Sequence, residues 1–367
     1  MSIVLYILFF VLGFFAVSNE IFRKKTSLPL FFLLSVLFLM ILCSRIGHDK
    51  DYNDLNSYIS YFQNDDDKYF EPGYVVFVGL IKTLFGYGAT AYVSCVGVFE
   101  LFFLLLSYLI IVSNEKKVLF LNHQNKNAIT KKNNYGLIVL FYVFSLYWGT
   151  AFGCEVIRLG IAISILFCSF ALAITGRKVL SLFLLPLAFS FQYTSVIFLI
   201  GILALFFSKR IKKQHLWIIF VSGIFIDFFY VFGIFSYSIG ELFLSKVLSY
   251  GEIFSHYDAY SGTIETTLSL QYFAYHIFGF LMLHGNFSDE KYKGAVIIYI
   301  LGLFIGTLFN GSVFSMRLQW VFLPSVIFVL YFFAKDVHYS SRTKLIFIGA
   351  FSLVEAVMAV RYLGCYV

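Results

Sequence analysis

Apolar runs of roughly 16 to 22 residues recur along the whole chain, each about the length that crosses a bilayer as a helix. Inside hydrocarbon every backbone N–H and C=O has to be paired within the protein, so unbroken runs of this length fold as helices. Composition agrees. Of 367 residues, 60% are hydrophobic and 13% charged, whereas soluble domains carry about 25% charged residues. The spans expected are 3–22, 28–44, 90–113, 135–152, 156–175, 179–192, 194–208, 214–235, 267–284, 294–309, 317–334 and 344–363. The expected fold class is therefore all-α: one polytopic helical membrane domain over 1–367 with about twelve transmembrane helices. The first span starts at Ile3 without a basic lead or a small-residue cleavage site, so it is expected to be a retained helix rather than a signal peptide.

The segment 74–88 is short, glycine-bearing and carries Lys82, and charge decides its fate. If it does not cross, nineteen of the 27 basic residues share one side. They are Arg23, Lys24 and Lys25; Lys116, Lys117, Lys126, Lys131 and Lys132; Arg177 and Lys178; Lys209, Arg210, Lys212 and Lys213; Lys291 and Lys293; and Lys335, Arg342 and Lys344. If it crosses, the lysines of 114–134 change sides and the bias collapses. The positive-inside rule therefore makes 74–88 a re-entrant or interfacial helix within an outer loop, 45–89, and puts both termini outside. A second outer loop, 236–266, contains Ile239, Leu242, Phe243, Val247 and Tyr250 at helical spacing opposite Glu241, Lys246 and Ser249, an interfacial amphipathic pattern. The net charge of +7 follows from the inner loops and calls for no nucleic acid. Five scattered cysteines have no metal-ligand spacing.

Chemistry is sought on the side opposite the basic loops. Arg45 ends the second span, Arg158 begins the fifth and Arg317 begins the eleventh, all at the outer boundary. A guanidinium there snorkels or meets an anion, and its fork of donors matches phosphate oxygens. Together they could hold a diphosphate; singly, Arg45 could pair with Asp49 and Arg158 with Glu155 at helical spacing. Deprotonating a sugar hydroxyl needs a nearby base. Asp51, His48 and Asp49 are candidates beside Arg45, followed by Glu71 and Glu155, unless 48–54 is only a solvated acidic loop. The aromatics at 254–260, with Tyr257 and Tyr260, either stack on pyranose faces or form an interfacial belt. Glu100, Asp227 and Glu355 fall within spans and read as hydrogen-bonded packing groups. Walker, dinucleotide-binding, zinc-protease and serine-hydrolase motifs are all missing.

Three blocks of these residues resemble the EpsG/Wzy-like polysaccharide polymerases. Arg45 to Tyr58, an arginine closing a helix before Asp51-Tyr52 and a further tyrosine, resembles the family's opening signature. Glu71-Pro72-Gly73-Tyr74 resembles its next block, and Ile157-Arg158 with Ala162 its third. Two departures stand out. Glu155 occupies a position that is often Asn in the family, and Gln192-Tyr193-Thr194-Ser195 replaces a histidine preceding a small hydroxyl residue. Gln192 keeps a hydrogen-bonding function but cannot act as a base.

The resemblance implies a GT-C-like glycosyltransferase of the bacterial inner membrane, making O-antigen (lipopolysaccharide), capsule or exopolysaccharide. It would join undecaprenyl-diphosphate-linked repeat units at the periplasmic face without nucleotide sugar or ATP. Arg45, Arg158 and Arg317 would bind the diphosphate, with Asp51, Glu155, His48 and Glu71 as candidate catalytic residues. Tyr52, Tyr257, Tyr260 and Gln192 would contact glycan. The implied partners are the lipid-linked donor and acceptor, membrane lipid, and a chain-length regulator and flippase of the same pathway. No cofactor is expected, although a diphosphate can recruit Mg2+. Two rival classes are a flippase for lipid-linked oligosaccharides and a membrane O-acyltransferase. A flippase would favour polar residues through the membrane core and inverted repeats, and an acyltransferase would need a reactive histidine reached from inside.

Overall fold

The computed structural model describes residues 2–46, 54–64, 70–122, 135–154, 156–234, 239, 270–310 and 313–360. The amphipathic stretch expected in 236–266 lies outside them, Ile239 excepted. Every regular element among the described residues is helical. In chain order the α-helices are α1 Ser2–Arg23, α2 Leu28–Cys43, α3 Asp54–Asn64, α4 Pro72–Phe85, α5 Ala89–Asn122, α6 Leu137–Leu146, α7 Trp148–Cys154 and α8 Ile157–Ile174. They continue with α9 Lys178–Phe191, α10 Phe198–Phe206, α11 Lys213–Val231, α12 Leu270–Leu283, α13 Glu290–Leu308, α14 Val313–Trp320, α15 Val326–Lys335 and α16 Ser341–Val360.

Seven described helices are long and apolar enough to cross a membrane, and α6 with α7 makes an eighth if their 49° bend is one broken span. Five more apolar helices are shorter, at 10–17 residues. Four of those occupy segments expected to cross, and the fifth is α4. The 16 residues of α2 rise about 24 Å, less than the ~30 Å hydrocarbon thickness. Exposed Val4, Phe15, Phe32, Phe183 and Ile346 give the helices a surface suited to lipid.

The chain divides into two compact units, 1–196 with 330–367, and 197–329. In the first unit α8 is the central helix, buried along almost its whole length and packed on α5 and α9. Its Gly160 explains the close fit: a Cβ there would lie 2.7 Å from the Glu100 carboxylate of α5. In the second unit α13 is central and packs against α10, α11, α12 and α14.

Polar contacts sort the loops of the first unit to two ends. At one end the Glu20 carboxylate accepts from the Thr26 hydroxyl and, at 3.0 Å, from the Val139 backbone N–H. There too Asn114 donates to the Thr175 carbonyl at 3.2 Å and Lys335 donates to Glu115 at 2.6 Å. The turns flanked by Arg23, Arg177 and Lys335 are thus gathered together. Helix α4 begins at the opposite end. Its Tyr74 hydroxyl meets that of Tyr92, one turn into α5, at 2.6 Å. The starts of α4 and α5 are therefore neighbours, although α4 alone runs about 21 Å.

Two glycines of α4 separate packing from propensity. A Cβ on Gly73 would lie 2.8 Å from the backbone oxygen of Ser190 in α9, whereas one on Gly79 meets nothing within 4 Å. Gly73→Val is expected to cost about 1–3 kcal/mol through forced separation of the two helices. Gly79→Ala should be neutral or stabilise by up to ~1 kcal/mol. Thermal unfolding of the two purified variants in one detergent checks both signs.

Candidate active site

Arg158 is the second residue of α8, where unpaired backbone N–H groups make the surroundings positive and favour anions. A guanidinium placed there needs a counter-ion. Glu71 supplies it from 87 positions earlier in the chain, through a direct Oε2 contact to Arg158 Nη1. Local sequence holds Glu71 in position. It is the N-cap of α4 with extended backbone, Pro72 fixes the first helical φ, and the Glu71 carbonyl accepts from Tyr74 at 3.0 Å and Val75 at 3.1 Å.

Aromatic rings enclose the pair. Arg158 Nε donates to the Tyr58 hydroxyl at 3.2 Å, and Cζ lies 4.8 Å from the Phe70 ring centroid and 5.8 Å from that of Tyr58. Tyr58, Phe70 and Tyr74 contact one another with centroids 5.2–5.9 Å apart, and Tyr61 packs on Phe70 at 4.4 Å. Each cation–π contact adds about 0.5–2 kcal/mol, depending on desolvation. The Glu71 side chain is 2% exposed and that of Arg158 is 19% exposed. Guanidinium carries five N–H donors. Among the described residues only Nε and Nη1 have hydrogen-bond partners, so both Nη2 donors remain available.

The other sequence-predicted residues fall as follows. Arg45 is buried, 3% exposed, in the turn that closes α2, where its N–H bonds the Leu42 carbonyl at 3.1 Å. Gln192 is equally buried at the C-cap of α9, two residues beyond the Ser190–Gly73 contact, and so at the same end as Glu71. Beside it the buried hydroxyls of Thr194 and Ser195 have no hydrogen-bond partner among the described residues. Arg317 belongs to the second unit, half-buried in the last turn of α14. His48, Asp49, Asp51, Tyr52, Glu155, Tyr257 and Tyr260 lie outside the described residues. The i,i+3 pairing of Arg158 with Glu155 thus has no described counterpart, and the described counter-ion is Glu71.

Sequence reasoning missed the roles of Phe70 and Tyr58. Phe70 adjoins Glu71 and Tyr58 closes the first family-like block, but nothing local signals that both face Arg158. Of the intramembrane acids, Asp227 is hydrogen-bonded. Glu100 is not: it is wholly buried, with neither oxygen paired among the described residues.

The EpsG family model matches residues 30–366, nearly the whole chain. The chain belongs to the EpsG family. That is a Wzy-like polysaccharide polymerase family, which makes this multi-pass protein a membrane polysaccharide polymerase with glycosyltransferase-type activity. No curated protein and no solved structure matches it. All three family-like blocks supply the Arg158 cluster: Tyr58 from the first, Glu71 and Tyr74 from the second and Arg158 from the third.

A double-mutant cycle tests the pair. Removing one member leaves a buried charge unpaired and should cost about 3–5 kcal/mol. Glu71→Ala with Arg158→Ala together should cost less than the sum, with a coupling of about 1–3 kcal/mol in denaturant unfolding.

Proposed function

We propose that this polymerase joins undecaprenyl-diphosphate-linked oligosaccharide repeat units at the outer face of a bacterial inner membrane, with Arg158 gripping the donor diphosphate. The supporting observation is the state of the guanidinium. Glu71 and Tyr58 fix its orientation, yet Nη2 keeps two donors unused among the described residues, at a helix start that itself favours anions. Preorganised donors stabilise a leaving group most where its charge accumulates. Arg45, in the same unit, is the second proposed contact to the diphosphate.

In the reaction a hydroxyl oxygen of the acceptor repeat unit bonds to the anomeric carbon of the donor glycan. The bond from that carbon to the diphosphate breaks, and its electron pair stays on the phosphate oxygen. The hydroxyl proton passes to a base, for which Asp51 is the first choice, with Glu155 and His48 next. Glu71 is occupied as the counter-ion of Arg158 and acts as its positioning residue. Gln192, buried at the same end, offers an amide to glycan hydroxyls. The energy comes from the glycosyl–diphosphate bond, so the step uses no nucleotide.

Charge supports the outward orientation. The turns flanked by Arg23, Arg177 and Lys335 share the end opposite the Arg158 cluster, and the positive-inside rule assigns such turns to the cytoplasm.

Gel analysis of surface glycan from a deletion strain tests this reading. Loss of the gene should convert a ladder into single repeat units on the outer face, and the wild-type gene should restore the ladder. Arg158→Ala, at equal membrane abundance, should leave single units. Arg158→Lys should give a short, weak ladder, because an ammonium keeps the charge without the planar fork. A full ladder from Arg158→Ala rules the diphosphate assignment out.

A further inference from the structure

The basic end of the first unit holds a cation that its own fold leaves unanswered. Lys344, in the first turn of α16, is only 5% exposed. It heads the buried stripe of that helix, which continues through Ile348, Phe351, Glu355 and Ala359. A lysine at such a position is ordinarily paired with an anion. Among the described residues the Lys344 ammonium makes no ion pair and no hydrogen bond.

Helix α1 brings a second cation to the same place. The two helices run antiparallel, because Tyr6 is in electrostatic reach of Glu355, Phe14 abuts Gly349 and Lys24 is in reach of Lys344. Two charges act on the Lys344 ammonium: Asp336 attracts it and Lys24 repels it. Asp336 is already engaged, since its Oδ1 accepts from the His338 backbone N–H at 2.9 Å and lies 2.7 Å from His338 Nδ1. Glu20, one turn before Lys24, is bonded to Thr26 and to the Val139 N–H. Lys24 is also the one non-glycine residue among those described with a left-handed backbone, φ 49°, directly after α1 where glycine is usual.

We propose that the basic end of the α1–α16 seam binds the phosphate of an anionic phospholipid, held between Lys24 and Lys344. The phosphate supplies the counter-charge missing at Lys344 and cancels the repulsion between the two ammonium groups. Apolar surface lies beside both lysines, with Phe22 60% exposed and Ile346 73% exposed, so the acyl chains have faces to lie along. Arg23 and Arg342, both exposed, extend the positive field around the entry. A zwitterionic headgroup brings a cation of its own into this cluster and gains less. A free phosphate ion meets the same lysines but forgoes the apolar contact. The site is independent of the proposed diphosphate contact, which lies at the other end of the unit.

Thermal unfolding of the full-length protein in dodecyl maltoside tests the proposal without requiring turnover. The probes are dioleoylphosphatidylglycerol, dioleoylphosphatidylcholine and inorganic phosphate. Phosphatidylglycerol should raise the wild-type midpoint saturably, with an apparent Kd about tenfold or more below that of phosphatidylcholine, roughly the worth of one charge-assisted hydrogen bond. Lys344→Met keeps an unbranched apolar stem and removes the charge. Its midpoint without added lipid should match or exceed that of the wild type, because a lone buried cation is gone. Its affinity for phosphatidylglycerol should fall about tenfold. Lys24→Gly suits the left-handed backbone and should lose affinity similarly, which keeps the test decisive if Lys344→Met does not fold. The proposal is overturned if phosphatidylcholine binds as well as phosphatidylglycerol, if inorganic phosphate at equal concentration reproduces the shift, or if either folded variant keeps the wild-type affinity.

Discussion

One ion pair, Arg158 with Glu71, ties the candidate active site to the fold. It joins the start of α8, the central helix of the first unit, to the cap of α4, a helix that begins where α5 begins. Burying a cation at a helix start is unfavourable twice over, through desolvation and through the helix dipole. The carboxylate offsets both, and the rings of Tyr58 and Phe70 restrict where the guanidinium can point. The pair is therefore best understood as a device for specifying position rather than as a source of net stability. What it leaves over is the useful part: donors held in place and, among the described residues, not consumed.

The second organising constraint is the separation of charge between the two ends of the first unit. Glu20, Asn114, Glu115 and Lys335 form the contacts at one end, and Glu71, Arg158 and Gln192 lie at the other. Carbonyls and carboxylates knit the basic turns together by ordinary hydrogen bonds. At the opposite end, among the described residues, tyrosines and phenylalanines surround Arg158 and Glu71 is the acid that answers it.

The helical architecture was legible because each span is a local property: about twenty apolar residues announce themselves without any partner. Several helix ends were legible to within a few residues, since Pro72, Gln192 and the Arg23–Lys25 turn interrupt the pattern. Yet α5 runs to Asn122 rather than 113, and the expected spans 135–152 and 317–334 are each broken. The place of Arg158, a cation at the very start of a span, was legible too. Its counter-ion was not. Glu155 looked the natural partner at i,i+3, but the contact seen is Glu71 across 87 positions, and such a contact depends on how α4 packs on α8's neighbours. The Asp227 cluster was illegible for the same reason. Tyr272, His276, Thr307 and Asn310 lie up to 83 positions away, and each alone passes for an ordinary helix residue. The short lengths of α2 and α9 were legible as well: 28–44 and 179–192 were expected, and Leu28–Cys43 and Lys178–Phe191 are observed.

The central claim is that Arg158 recognises a diphosphate, and equilibrium binding measures it most directly. Farnesyl diphosphate and farnesyl monophosphate, titrated into the purified full-length protein, separate headgroup recognition from the hydrophobic tail. The wild type should favour the diphosphate by about tenfold or more, roughly the contribution of one charge-assisted hydrogen bond, and Arg158→Ala should remove most of that preference. Equal preference in the wild type and in Arg158→Ala would contradict the account.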